Sequence, residues 1–202
     1  VSSSTYNSDG TLATQMDAAG NITTYAYDKF GNLISITDAR NHTAKFAYDA
    51  LGRVTSQTDA LGHTTTISYD KVGNIVRVTN AKGQITAYTY DALGNVLTQT
   101  NPMGGVYTYK YDGKGNVISV TDPIGNKQSY TWNESNKLLT QTNAAGEITS
   151  YEYDTKGNLV SVFQPNGNVL NYFYDALDRI EQMSDNMGSI LSMVLVVAGT
   201  IV

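Results

Sequence analysis

Apolar and polar residues alternate along this chain in short runs of six or seven, and turn signals cut the runs at separations of 10 and 11 residues. In the run that ends at Tyr27, Tyr25 and Tyr27 lie two apart and so share one face of an extended strand. In the next run Leu33, Ile34 and Ile36 stand among Ser35 and Thr37. A run of that length is a strand of about 20 Å at roughly 3.3 Å per residue. The pattern predicts an antiparallel meander of about 17 or 18 strands, two per repeating unit, with turns alternating between two rims.

The unit is 21 residues long. Tyr-Asp pairs begin at Tyr27, Tyr48, Tyr69, Tyr90, Tyr111, Tyr153 and Tyr174, with the variants Tyr6-Asn7 and Trp132-Asn133, and no register slips. Each unit holds two turn signals of the form Asp-x-x-Gly: Asp28 to Gly31 shows the first, and Asp17 to Gly20 or Asp59 to Gly62 the second. An Asp opens a type I turn by accepting a hydrogen bond from a backbone N–H two residues on, and the fourth residue must take positive φ. Followed by a strand, this is a three-residue hairpin loop closed by a bulge at the glycine. The departures from glycine are Asn136, Asp178 and Asn41, and Asn and Asp are the other residues that best tolerate positive φ.

Four columns run through the repeats. One is aromatic: Tyr25, Phe46, Tyr88, Tyr109, Tyr130, Tyr151 and Tyr172, with Ile67 as its aliphatic member. The Tyr-Asp tyrosines are the second, and an aliphatic column from Leu12 and Leu33 to Leu159 and Ile180 is the third. Cross-strand pairs of such residues contribute about 0.2–1 kcal/mol each and fix register by repetition. The fourth column alternates with a period of 42: Gln15, Ile36, Gln57, Val78, Gln99, Val120, Gln141, Val162. Either a duplicated two-hairpin unit or differing surroundings of neighbouring repeats would produce it. Open sheets rarely exceed about 10 strands without curling or splitting. With apolar and Thr/Ser positions on both faces, the expectation is a sheet curling into an open spiral shell; a two-sheet sandwich would need cleaner alternation.

Composition narrows the chemistry. Fifteen Tyr stand against four Phe and one Trp, and 18 Gly against three Pro. Net charge is −5 with no Lys/Arg cluster, which argues against a nucleic-acid surface. There is no Cys, hence no disulfide framework or thiolate site. His42 and His63 lie at second-rim turns one repeat apart without a third ligand at suitable spacing. The turn aspartates lack the dense oxygen spacing of calcium loops. Glu134, Glu147, Glu152 and Glu181 read as solvent-face residues rather than a catalytic pair. No catalytic, cofactor-binding or metal-binding residue is assigned, no cofactor is expected, and the chain is not read as an enzyme.

The phrase Tyr-Asp-x-x-Gly-Asn-Leu-Ile-Ser-Ile-Thr-Asp, at Tyr27 to Asp38 and with changes at Tyr90 and Tyr153, resembles the Rhs/YD-repeat proteins. The resemblance spans residues 1 to about 190. It implies a spiralling, all-β, cocoon-like shell of the kind found in bacterial polymorphic toxins, the B/C components of insecticidal toxin complexes, wall-associated proteins and teneurins. In the toxins such a shell encloses a C-terminal toxic polypeptide released by aspartyl autoproteolysis. The core-ending motif of that cleavage is missing here: Asp122-Pro123-Ile124-Gly125 matches only its first half and falls in register as a second turn.

The expected organisation is a repeat array over residues 1–189, its first unit incomplete, followed by an apolar non-repeat tail over 190–202. That tail is uncharged and too short for a membrane helix, which needs about 20 apolar residues. It suits a strand-like or irregular segment, a truncated membrane segment or unrelated sequence, and it is an aggregation hazard if exposed. With Val1 in place of Met, and Tyr6, Gly10 and Leu12 already in register, the expectation is a fragment of a longer array. The first functional expectation is a structural module of a shell that encapsulates and helps deliver a toxin carried elsewhere in the protein. Its partners would be adjacent repeats or that toxin polypeptide, without nucleic acid or membrane, in a secreted or cell-surface setting implied by the resemblance. The alternatives are an adhesion module binding cell-surface glycans through its tyrosines, and a truncated fragment without independent activity.

Overall fold

The computed structural model describes residues 1–188 and 190–192. Two compact units divide the chain, Val1–Gly105 and Val106–Val202. The first holds β1 (Ser3–Tyr6), β2 (Leu12–Met16), β3 (Ile22–Tyr27), β4 (Leu33–Thr37), β5 (Thr43–Tyr48), β6 (Val54–Thr58), β7 (Thr64–Tyr69), β8 (Ile75–Thr79), β9 (Ile85–Tyr90) and β10 (Val96–Thr100). The second holds β11 (Val106–Tyr111), β12 (Val117–Thr121), β13 (Lys127–Trp132), β14 (Leu138–Thr142), β15 (Ile148–Tyr153), β16 (Leu159–Phe163), β17 (Val169–Tyr174), β18 (Ile180–Asp185) and β19 (Ile190–Ser192). No helix occurs among the described residues. Within each unit every strand pairs antiparallel with its sequence neighbours, so each is a single-layer meander rather than a sandwich. Nineteen described strands exceed the 17 or 18 expected. The extra one, β19, pairs Ile190 with Ser184 and Ser192 with Gln182, beyond the last Tyr-Asp phrase. Residues 193–202 of the apolar tail lie outside the described residues, and with them most of what the sequence suggested for that segment.

Because the described strands of each unit form one layer, there is almost no dry core within either. Among the described residues only Val162 and Ser119 are buried, at 8% and 6% exposure. Stability must therefore come from local pairing repeated many times.

Both turn types fold as expected. At the Tyr-Asp rim the Asp28 N–H donates to Asn32 O at 2.9 Å and the Gly31 N–H to Asp28 O at 3.1 Å; at the other rim Asp17 and Gly20 repeat the scheme. Asn41, Asn136 and Asp178 take φ of 62°, 58° and 58° in place of glycine.

The Tyr-Asp hairpins carry a second irregularity that the sequence pattern did not announce. Their register shifts just before the tyrosine: Ala26 pairs with Ser35 but Tyr27 with Leu33, leaving Ile34 as an extra residue. The same bulge recurs at Tyr6, Tyr48, Tyr69, Tyr111, Trp132, Tyr153 and Tyr174, and between Val96 and Thr98 opposite Tyr90. It is a consequence of the odd repeat length. Thr24 pairs with Thr37, and Thr37 with Thr43, whereas the repeat equivalent of Thr24 is Lys45 at 24 + 21. Equivalent residues are thus offset by 45 − 43 = 2 positions. Without the bulge the row would run from Thr24 through Ile36 to Ala44, an offset of one, and a one-residue slip turns a side chain to the opposite face. The bulged residue restores an even offset, so each column stays on one face. Two residues of stagger, about 6.7 Å, across two strand spacings of about 9.6 Å tilt the equivalent-residue line by about 35°. That is the obliquity of strands in closed barrels.

Candidate functional site

Pairing assigns every strand residue to one of two faces. Tyr25 opposes Ile36 and Tyr27 opposes Leu33, and Ile36 opposes Ala44, so both aromatic columns, the aliphatic column and the period-42 column share what is here called the tyrosine face. Thr24 with Thr37 and Ala26 with Ser35 occupy the other, the threonine face. Tyrosines of one column do not stack across neighbouring strands, as a simple ladder would have it. Each inner aromatic faces the period-42 column instead: Phe46 faces Gln57, Tyr88 faces Gln99 and Tyr151 faces Val162.

That pairing gives the Gln/aliphatic alternation a physical context. The Tyr25 hydroxyl donates to Gln15 Oε1 at 3.2 Å and Tyr151 to Gln141 Oε1 at 3.4 Å, each reaching back into the preceding repeat. Where the preceding member is aliphatic, as Ile36 is for Phe46, it offers no acceptor to a hydroxyl. Tyr130, which follows Val120, turns its hydroxyl to Gln128 at 2.8 Å.

The Tyr-Asp tyrosines have a different task. Tyr48 donates its hydroxyl to the Leu33 carbonyl at 2.8 Å, 15 residues back, and Tyr69, Tyr90, Tyr153 and Tyr174 do the same to Val54, Ile75, Leu138 and Leu159. The acceptor is the strand residue at the bulge. It lies beyond the ladder joining the two hairpins, whose last pair is Ser35 with Lys45. The phenol therefore staples consecutive hairpins at the place where backbone pairing has stopped. Trp132 serves equally, its indole N–H donating to the Val117 carbonyl at 2.8 Å. The position demands an aromatic ring with a donor at its tip, which Phe lacks. Burial pushes the Tyr90, Tyr153 and Tyr174 hydroxyls above their ordinary pKa. Arg53 lies over the Tyr69 ring at 4.5 Å and donates to Asp70 O at 3.2 Å, tying the same two repeats.

The turn aspartates are consumed by their own loops. Asp28 Oδ1 accepts from the N–H groups of Phe30 and Asn32 at 2.8 and 2.9 Å, and Oδ2 from the Asn32 side-chain amide at 2.9 Å. The Asn32 side-chain bond, with these backbone donors, holds the Asp28 carboxyl below its ordinary pKa. His42 and His63 each set Nδ1 against the aspartate that opens their own turn, at 3.0 and 2.9 Å. Among the described residues no group of three His, Cys, Asp or Glu side chains gathers as a metal site would require. Glu147 Oε2 accepts from Asn143 at 2.6 Å, Glu152 opposes Ser161 on the threonine face, and Glu134 offers its backbone carbonyl to Lys114 at 2.7 Å. Asp122 to Gly125 forms a second-rim turn like its neighbours, with Gly125 at φ 92°. A groove of about 580 Å³ lies between successive Tyr-Asp turns, lined by Asp70, Val72, Tyr88, Tyr90 and Leu93, but it is open and Asp70 is engaged by its own turn.

The family model described as the teneurin YD-shell matches residues 36–194, and the RHS repeat model matches residues 6–43. No curated protein sequence matches the chain. Among solved structures, TcdB2-TccC3 without the hypervariable C-terminal region superposes with a TM-score of 0.75 at 18% identity, over 92% of this chain and 11% of that one. TcdB2-TccC3 gives 0.74 at 17% identity, over 92% and 12%. The Photorhabdus luminescens Tc holotoxin pore gives 0.57 at 18% identity, over 90% and 13%. The chain thus spans about a ninth of the first of these, and at such identity the likeness shows the fold.

Proposed function

The chain belongs to the teneurin YD-shell family, and from that premise we propose that it is a non-enzymatic structural module, one part of an Rhs-type β-shell that encapsulates and helps deliver a toxin polypeptide carried elsewhere in the full-length protein. The observation that carries this is how the polar groups are spent. The aspartates close turns and the tyrosines staple hairpins, so the residues that could do chemistry are committed to holding the sheet. A sheet secured repeat by repeat, without a core of its own, suits a wall. The division into an array over 1–189 and an apolar segment over 190–202, and a secreted or cell-surface setting, belong to the same proposal.

Protease protection tests it. In the full-length protein carrying this array, the C-terminal segment should resist digestion, and Tyr48→Ala, Tyr90→Ala and Tyr153→Ala together should expose it. Equal digestion of that segment with and without the array would refute encapsulation.

A further inference from the structure

We propose that Asn166–Gly167 is a site of spontaneous modification, where the asparagine loses ammonia through a cyclic imide to give aspartate and isoaspartate at a rate set by its under-held turn. This goes beyond the scaffold role and does not depend on it.

The chemistry is written at one place in the sequence. The backbone nitrogen that follows an asparagine can attack the side-chain carbonyl carbon, and a side chain on the attacking residue obstructs the approach. Asn166 is the one asparagine followed by glycine; every other is followed by a residue with a Cβ. Gly167 is exposed at φ +82°, with nothing within 4 Å of the place a Cβ would take, so its nitrogen is uncrowded.

The fold prepares the electrophile. Asn166 Oδ1 accepts the Asn168 N–H at 3.0 Å, a bond that spans the Gly167 peptide and holds the carboxamide beside it. That N–H also stabilises the negative charge gathering on Oδ1 when the carbon is attacked, as an oxyanion-hole donor does. Nδ2, the leaving group, has no hydrogen-bond partner among the described residues. The step needs water and no other reactant. Gly167 N bonds to Asn166 Cγ, the Cγ–Nδ2 bond breaks, and Nδ2 leaves as ammonia with the proton from Gly167 N. Water then opens the imide on either side, giving aspartate or, with the chain rerouted through Cγ, isoaspartate. Either product sets a carboxylate in the groove shared with Asp185 and Asn186, whose Nδ2 donates to Gly167 O at 2.9 Å.

The turn restrains the reaction, and it is held by fewer bonds than those before it. The Gly167 N–H donates to Gln164 O at 3.0 Å and must be released before the nitrogen can attack. At each preceding second-rim turn the opening Asp or Asn also accepts the N–H groups two and four residues on. Gln164 stands in that place with one more methylene and takes neither; its Oε1 accepts only the Asn168 side-chain amide, at 3.2 Å. Asn168 Oδ1 is left buried without a partner among the described residues.

The test incubates the full chain in mildly alkaline buffer, digests it at intervals and weighs the peptides. The Asn166 peptide should gain one mass unit and split into two chromatographic forms before any other asparagine converts, including Asn7 ahead of Ser8. Gly167→Asn, at a glycine place where Asn41 already takes φ 62°, should slow conversion of Asn166 about tenfold by crowding the nitrogen. Gln164→Asp, followed by proline as Asp122 is, should slow it about fivefold, the effect of one restored turn bond. In denaturing urea the turn is gone: Gln164→Asp should then convert at the wild-type rate while Gly167→Asn stays slow, whether or not either variant folds. Conversion of Asn166 no faster than of Asn7, an unaltered rate in Gly167→Asn, or equal rates for Gln164→Asp and wild type in the folded state overturns the proposal.

Discussion

Replacing Tyr90 by Phe isolates the staple, because the ring stays and only the hydroxyl leaves. That hydroxyl donates to Ile75 O at 2.7 Å. The ladder between β8 and β9 ends at Arg77 with Ala87, so no backbone N–H of β9 stands ready to take over the carbonyl. A hydrogen bond of this kind is worth about 0.5–1.5 kcal/mol net, and the part-buried acceptor places the loss near about 1 kcal/mol. For a chain of this size that corresponds to a fall in Tm of about 2–4 °C. Tyr88→Phe is the matched control: the same ring, the same face, two residues away, with no staple to lose, and an expected change within about 0.5 kcal/mol. Urea unfolding followed by far-UV ellipticity reads both, with m unchanged if only the native state is affected. Tyr90→Trp should recover most of the loss, since Trp132 makes the bond at 2.8 Å. If Tyr90→Phe and Tyr88→Phe cost the same, the hydroxyl is not what joins the hairpins and the staple account is wrong.

Acid should loosen the turns. Asp17, Asp28, Asp91 and Asp112 are held below the ordinary carboxylate pKa, first by the side-chain amide of the Asn four residues on; in Asp49 and Asp154 the backbone N–H at that position leads. A lowered folded pKa means stability that is complete above the unfolded value near about 3.9 and drains away as pH falls through the folded value. Asn80 makes the same two backbone bonds without a proton to gain, so Asp91→Asn should keep its neutral-pH stability and flatten the loss below pH about 4 in thermal melts. Gly94 sits at φ +85° with Asn74 Oδ1 3.8 Å from an added Cβ, and the equivalent Asn136 accepts from Asn116 at 2.9 Å; Gly94→Asn should therefore melt close to wild type, while Gly94→Val should cost about 1–2 kcal/mol. Phe30, Leu51, Val72 and Leu93 cap four successive Tyr-Asp turns at 77%, 74%, 84% and 80% exposure. Replacing all four by Ser should leave Tm within about 2 °C and reduce light scattering at high concentration; a large destabilisation would reveal packing that the fold does not show.

Much of this protein is written locally, and the reason is that its stability is local. A turn that needs an Asp at its start and positive φ at its end constrains residues three apart, so the substitutions Asn41, Asn136 and Asp178 were legible as obedience to the same rule. Strand lengths and the alternation of rims followed from turn spacing alone. Which residues share a face was harder to see, because strand parity is ambiguous until the pairing across each turn is known. Once Lys45 is seen opposite Ser35, and Ile36 opposite Ala44, the two faces separate cleanly.

Tertiary structure alone decided how the hairpins join. The tyrosine of the repeated phrase looked like one more rung; it is a donor to a carbonyl 15 residues earlier, and that carbonyl is left without a ladder partner by a bulge. The clue was present as arithmetic, since 21 is odd and equal loops would turn every second repeat inside out. Which residue yields to repair the parity depends on hydrogen bonds between strands, and these exist only after the chain has folded back on itself. Sequence by itself thus determined the unit and its turns, through contacts within a few residues. The stagger, the faces and the staple came from pairing between units, where each strand's environment is its neighbour.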